Sequence, residues 1–185
     1  LGIPGDIFIK NHLPYCSELE KSQLSKEFVK FNERCMLDLL GDMRSYNYVV
    51  IPTHDFDQVV YRIRPIDFDQ QCYEGKLKIY LPQYFKENFK MVQMVLEKLV
   101  TSSIEQYRKE VRSVIVRRVL VNKDRFDDLI TVMKKDQIAP KEHVETLKRS
   151  LQKLMYEKSF KYCTNMGEIL ETAIRFVIKN YGLQN

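Results

Sequence analysis

The chain has no tryptophan, and its 185 residues include only six glycines, six prolines, four cysteines and three histidines. So little glycine and proline excludes a collagen-like or low-complexity protein, and no internal repeat is visible. Cys16, Cys35, Cys72 and Cys163 form neither a CxxC pair nor a zinc-like spacing with histidine. Free thiols in a reducing compartment are the expectation. His12, His54 and His143 stand apart in the sequence, which argues against a metal or catalytic role, and His54 is expected to be exposed. No apolar run approaches the roughly 18 residues needed to cross a bilayer. Residues 1–14 are broken by Pro4, Gly5, Asp6 and Lys10, so no secretory leader is expected and a cytoplasmic protein is.

Charge of one sign is also scarce as a block. Thirty basic residues face 25 acidic ones, for a formal charge of +5, and the two signs are mixed along the chain. Nucleic-acid binders concentrate such charge on one face, so a nucleic-acid partner is not expected. The basic run Arg108, Lys109, Arg112, Arg117 and Arg118 could hold phosphate, but it fits a solvated helix face better.

What is present is ordinary for a folded domain: 44% hydrophobic and 30% charged residues in a length that suits one domain, 1–185. Residues 1–15 carry Gly2, Pro4, Gly5 and Pro14 around Ile7-Phe8-Ile9, which suggests a linker or edge strand. Over 17–40, Leu24, Phe28, Phe31, Cys35 and Leu39 recur at helical spacing, and Gly41 suits the unusual backbone just past a helix end.

Residues 70–84 are irregular, broken by Gly75 and Pro82. Helices are expected at 85–100, with Phe85, Phe89, Val92, Val95, Leu96 and Leu99 inward, and at 101–121, with Ser102 or Ser103 as cap. The β-branched run 111–121 keeps a strand open there. Further helices are expected at 124–135, at 140–156 with Pro140 in its first turn, and at 166–181 between Thr164 and Gly182. The fold class is therefore mainly α with a small β-hairpin (α+β).

The hairpin is the chemically suggestive part. Runs 46–51 and 59–63 flank the polar turn 53–58. The hairpin would hold Asp42 and Asn47 near its entry, and Asp67 and Asp69 near its exit. Singly, Asp, Ser and Asn are turn residues that bond their own backbone. As a set, three carboxylates and an amide could converge on one small volume, as a hard cation requires. Asp42 with Arg44 also pairs a proton acceptor with a cation that can hold a phosphate.

Gly41-Asp42 through Asn47, with the Asp and Asn five apart and a strand following, resembles the catalytic loop of protein-kinase-like phosphotransferases, in particular the aminoglycoside and choline kinase version. Ile66-Asp67-Phe68-Asp69 resembles the Asp-Phe-Gly metal-binding element, with Asp69 in the place of Gly. The motifs cover residues 20 to 75. Leu39 and Leu40 stand where protein kinases carry His-Arg, and no Gly-rich loop or strand-borne Lys precedes Asp42.

The resemblance implies a kinase-like C-terminal lobe: a hinge-like 1–15, a helix, catalytic loop and metal loop over 16–81, and a helical subdomain over 82–185. It implies Asp42 and Arg44 as catalytic, Asn47 and Asp67 as cofactor-binding, and Asn47, Asp67 and Asp69 as metal ligands, with Mg²⁺ and ATP as cofactors. The partners would be ATP, a hydroxyl-bearing substrate and an N-terminal nucleotide lobe outside the chain, without which the chain is expected to be inactive. A pseudokinase or helical interaction module is the alternative, with a basic nucleic-acid-binding domain behind it.

Overall fold

The computed structural model describes residues 1–182. Its organising element is the helix α2, Glu18–Leu37. A capping box starts it: the Ser17 hydroxyl accepts the Glu20 N–H at 3.2 Å, and the Glu20 carboxylate accepts the Ser17 N–H at 2.7 Å. Two hydrophobic clusters share this helix. Leu24, Phe28, Phe31 and Cys35 belong to one and Met36 and Leu37 to the other. Burying each large side chain contributes about 1.5–3 kcal/mol, so α2 ties the two halves together from within.

The first cluster packs α2 against a three-stranded antiparallel sheet ordered β1 (Ile3–Pro4), β2 (Tyr48–Asp55), β3 (Gln58–Pro65) and against the helix α3, Phe89–Lys98. Register runs from Tyr48 opposite Pro65 to Asp55 opposite Gln58, so only Phe56 and Asp57 form the loop. The hairpin is longer and its turn shorter than expected, because the polar residues of 53–58 pair as exposed strand ends. His54 is exposed, in strand β2.

The N-terminal expectation is corrected in part. Ile3 and Pro4 do pair with Val50 and Val49 as an edge strand, but Gly5–Asn11 is a helix, α1, that buries Phe8 and Ile9. Seven residues are too few for a helical period to declare itself. Gly5 is required by contact rather than by backbone freedom. A Cβ there would lie 2.3 Å from the Tyr48 ring and 2.4 Å from the Ser45 carbonyl oxygen.

The second cluster joins α4 (Thr101–Val121), α5 (Lys123–Lys135), α6 (Lys141–Met155) and α7 (Met166–Tyr181), with Leu147, Leu151, Phe160, Ile169 and Val177 fully buried. The β-branched run of α4 is helix, not strand. No side chain caps α4; for α7 the cap is Asn165, which accepts the Glu168 N–H at 2.9 Å, not Thr164. Pro140 lies just before α6 rather than in its first turn. Residues 85–88 are not α-helical, and α3 buries Met91, Met94 and Val95 while Phe89 and Leu96 are exposed. The stripe drawn from Phe85 counted turns that the chain does not make.

The basic run on α4 is not uniformly solvated either. Arg112 Nε donates to buried Glu33 at 2.7 Å, and Arg108 Nε lies 3.7 Å from the same carboxylate. This pairing fastens α4 to α2. All four cysteines are free thiols.

At the C-terminal end of α2, burial raises the Asp38 carboxyl to about 6 despite the opposing charges of Arg34 and Arg118. The unfolded carboxyl titrates near 3.9. The folded chain therefore holds this proton more tightly, so the group opposes folding above about pH 6, and stability is gained as pH falls from 6 toward 4. Asp38→Asn is expected to raise the melting temperature at about pH 7.5 and to change it little at about pH 4, in thermal melts at the two pH values. An equal shift at both would contradict this origin.

Candidate functional site

The loop after α2 is built by two left-handed residues and one close approach. Leu39 (φ 50°) closes α2 in a Schellman turn: the Leu40 N–H reaches the Cys35 carbonyl at 2.8 Å and the Leu39 N–H the Met36 carbonyl at 3.4 Å. A leucine in that region costs about 1–2 kcal/mol; its side chain is fully buried, which offsets the strain. Asp42 is the second (φ 59°), and no glycine has positive φ among the described residues. The sequence expectation for Gly41 is therefore corrected. It is needed for space, since a Cβ would sit 2.7 Å from the Gln70 carbonyl oxygen.

That approach fastens the loop to residues 70–79. Leu40 pairs with Gln71, the Cys72 N–H donates to the Leu39 carbonyl at 2.8 Å, and the Asp42 N–H donates to the Ile79 carbonyl at 3.0 Å. On the other side stands Asn88, fully buried. Its amide donates to the Met43 and Pro82 carbonyls, each at 2.9 Å, and accepts the Tyr48 hydroxyl at 2.9 Å. The backbone around Asp42 is thus held from both flanks.

Within this frame Asp42, Arg44 and Asn47 meet. Arg44 Nε donates to Asp42 Oδ1 at 2.8 Å. The Asn47 amide nitrogen donates to the Asp42 carbonyl at 2.7 Å and to Asp42 Oδ2 at 3.3 Å. Arg44 also reaches Glu87, at 3.2 and 3.3 Å from its two oxygens, and lies 4.5 Å over the Phe85 ring. The Asp42 hydrogen bond holds the guanidinium above its ordinary pKa, with the charges of Asp42 and Glu87 acting the same way. Glu87 is lowered, first by its own backbone N–H and then by Arg44.

The sheet sets where Asp67 begins. Tyr48 pairs with Pro65, and the Ile66 N–H donates to the Asn47 carbonyl at 3.0 Å, so Asp67 leaves the ladder one residue past Asn47's partner. Asp67 Oδ1 accepts the Asp69 N–H at 3.0 Å, the local turn expected of an aspartate. No hydrogen bond or ion pair joins the side chain of Asp67 or Asp69 to Asp42 among the described residues. The structure brings together Asp42, Arg44 and Asn47; Asp67 and exposed Asp69 follow Ile66, whose backbone bonds Asn47, and make their own turn.

The donor set bears on Mg²⁺. The Asn47 amide spends its nitrogen on Asp42, which leaves Oδ1 without a hydrogen bond among the described residues. Asp67 keeps one carboxylate oxygen outside the Asx turn. Among the described residues no three His, Cys, Asp or Glu side chains form a metal-holding group. An amide oxygen and one carboxylate are hard ligands, and they suffice for Mg²⁺ only when phosphates and water complete the shell.

Glu87 and Asn88 were missed from sequence. They contact residues more than 40 positions away, and no local pattern marks such bonds. No family model, curated protein or solved structure matches the chain. No described helix is long and apolar enough to cross a membrane.

Proposed function

We propose that the chain is the phosphoryl-transfer lobe of a kinase-like enzyme, moving the γ-phosphate of ATP to a hydroxyl acceptor. The observation that carries this reading is the Asn47 amide bonded to both the carbonyl and the carboxylate of Asp42, with Arg44 on the same carboxylate. The sequence resemblance assigns the roles; the geometry is compatible with them.

In this reading Asp42 orients the acceptor hydroxyl and takes its proton as the oxygen attacks phosphorus. Arg44, shared between Asp42 and Glu87, turns part of its positive charge to the transferring group. Asn47 Oδ1 and Asp67 would hold Mg²⁺, which neutralises phosphate charge, and Asp69 would supply a second contact. A nucleotide-holding lobe would come from outside these residues. The free thiols are in keeping with the cytoplasm.

A non-catalytic module with the same loop is the second reading. One feature favours it: both Asp42 oxygens are already engaged, by Arg44 and by Asn47. Incubation of the complete gene product with γ-labelled ATP, Mg²⁺ and pooled hydroxyl compounds separates the two. Label moving from ATP to an acceptor supports the enzyme; ATP bound without transfer, under every acceptor pool, supports the module.

A further inference from the structure

A cleft of about 670 Å³ lies between α2, β3, α4, α5 and α7. Ligand pockets of this size hold a drug-sized molecule. None of Asp42, Arg44, Asn47, Asp67 or Asp69 lines it, so it is a separate feature from the candidate active site. Its floor is apolar, formed by residues such as Val111, Ile115, Leu170 and Ile174. Its walls carry five cations and three carboxylates, whereas the whole chain is only mildly basic.

The pairing of those charges is uneven. Glu110 is satisfied by Lys30 at 2.9 Å and Lys26 at 3.9 Å. By contrast, Arg34, Arg62, Arg64 and Arg118 have no carboxylate within ion-pair distance among the described residues, although Glu27 and Asp38 stand in the same cleft. Burial raises both of those carboxyls against the pull of the arginines.

The arginines come from three elements. Arg34 is on α2, Arg62 and Arg64 project from one face of β3 two residues apart, and Arg118 is on α4. Unpaired guanidinia aimed into one concave space suit oxyanions that accept two hydrogen bonds each. Four of them, around a floor that can cover an apolar scaffold, suit a ligand carrying several phosphates.

We infer that this cleft binds a small molecule bearing two or more phosphate groups, clamped by Arg34, Arg62, Arg64 and Arg118. The inference stands apart from the phosphotransfer reading and survives its failure. Free polyphosphorylated compounds and polyphosphorylated lipid headgroups share the chemistry, and the test distinguishes them.

Calorimetric titration with inositol hexakisphosphate at physiological salt should give saturable binding. Arg62→Gln, Arg64→Gln and Arg118→Gln should each weaken it by about tenfold, the effect of losing one charged hydrogen bond. These side chains are exposed, so the melting temperature should be unchanged. Lys109→Gln and Arg117→Gln remove equal charge from α4 outside the cleft and should change affinity by less than about twofold, as a clamp rather than a diffuse field requires. In a parallel arm, phosphatidylcholine vesicles with and without a bisphosphorylated inositol lipid replace the soluble probe. Arginine-dependent binding of the soluble probe assigns a free ligand; arginine-dependent binding of the vesicles alone assigns a headgroup. No saturable binding in either arm, or equal losses in the Lys109 and Arg117 variants, would overturn the inference.

Discussion

Asp42→Asn is expected to lower phosphoryl transfer by about 10²–10⁴-fold, the range for removing a positioned general base. The substitution keeps the shape but removes the charge assigned to take the proton, and its single amide oxygen can accept from Arg44 or from Asn47 but not from both. Its structural cost should be small. Asp42 and Arg44 are each about one-third exposed on their side chains, and pairs of that exposure contribute at most about 1 kcal/mol. In a domain of this size that moves the melting temperature by about 2–4 °C. Rates measured with γ-labelled ATP, alongside a thermal melt, separate the two effects. A loss of activity matched by a comparable loss of fold would mean that Asp42 shapes the loop and does no chemistry.

The largest effect on stability is expected at Asn88→Ala. The side chain is fully buried and serves three partners: the Met43 carbonyl, the Pro82 carbonyl and the Tyr48 hydroxyl. Truncation leaves all three without their bond in a space that alanine cannot fill. Each unpaired buried group costs about 1–3 kcal/mol, partly relieved if water enters. A total near 4 kcal/mol follows, or a drop of about 10 °C in melting temperature. Because Met43 adjoins Asp42, the same substitution should speed amide hydrogen exchange across residues 42–47. A stability loss under about 1 kcal/mol, measured by denaturant unfolding, would show that Asn88 does not hold the loop.

Much of the fold was legible because it obeys local rules. The helix carrying Leu24, Phe28, Phe31 and Cys35 announces its period, and the hairpin announces its alternation. The span Met166–Tyr181 was readable, although its cap is Asn165 and not Thr164. The failures have physical reasons. α1 is too short to show a period, and short turns over 77–88 stand in place of the first turn of an expected helix, with the Asn88 side chain on the Met43 and Pro82 carbonyls rather than capping α3. Gly41 was legible as special, but its reason, the Gln70 carbonyl against its Cα, is a tertiary one.

At the candidate site, the spacing of Asp42 and Asn47 was visible as a motif. Their direct bond could not be, since a five-residue gap is equally compatible with two side chains pointing apart. The split of the basic run was hidden for the same reason. Arg112 turns to Glu33 while Arg118 turns to the cleft with Arg34, although both lie on one helix. Only the elements packed on either side of α4 decide between those fates.

In the proposed reading, Asn47 and Asp67 hold a metal–nucleotide complex beside Asp42. Calorimetric titration of ATP, with and without Mg²⁺, into this chain and into the complete gene product tests it most directly, with Asp67→Ala as the control. Mg²⁺-dependent binding by the complete product that disappears in Asp67→Ala is the expected result. Absence of binding in both proteins, or binding that Asp67→Ala leaves intact, would contradict it.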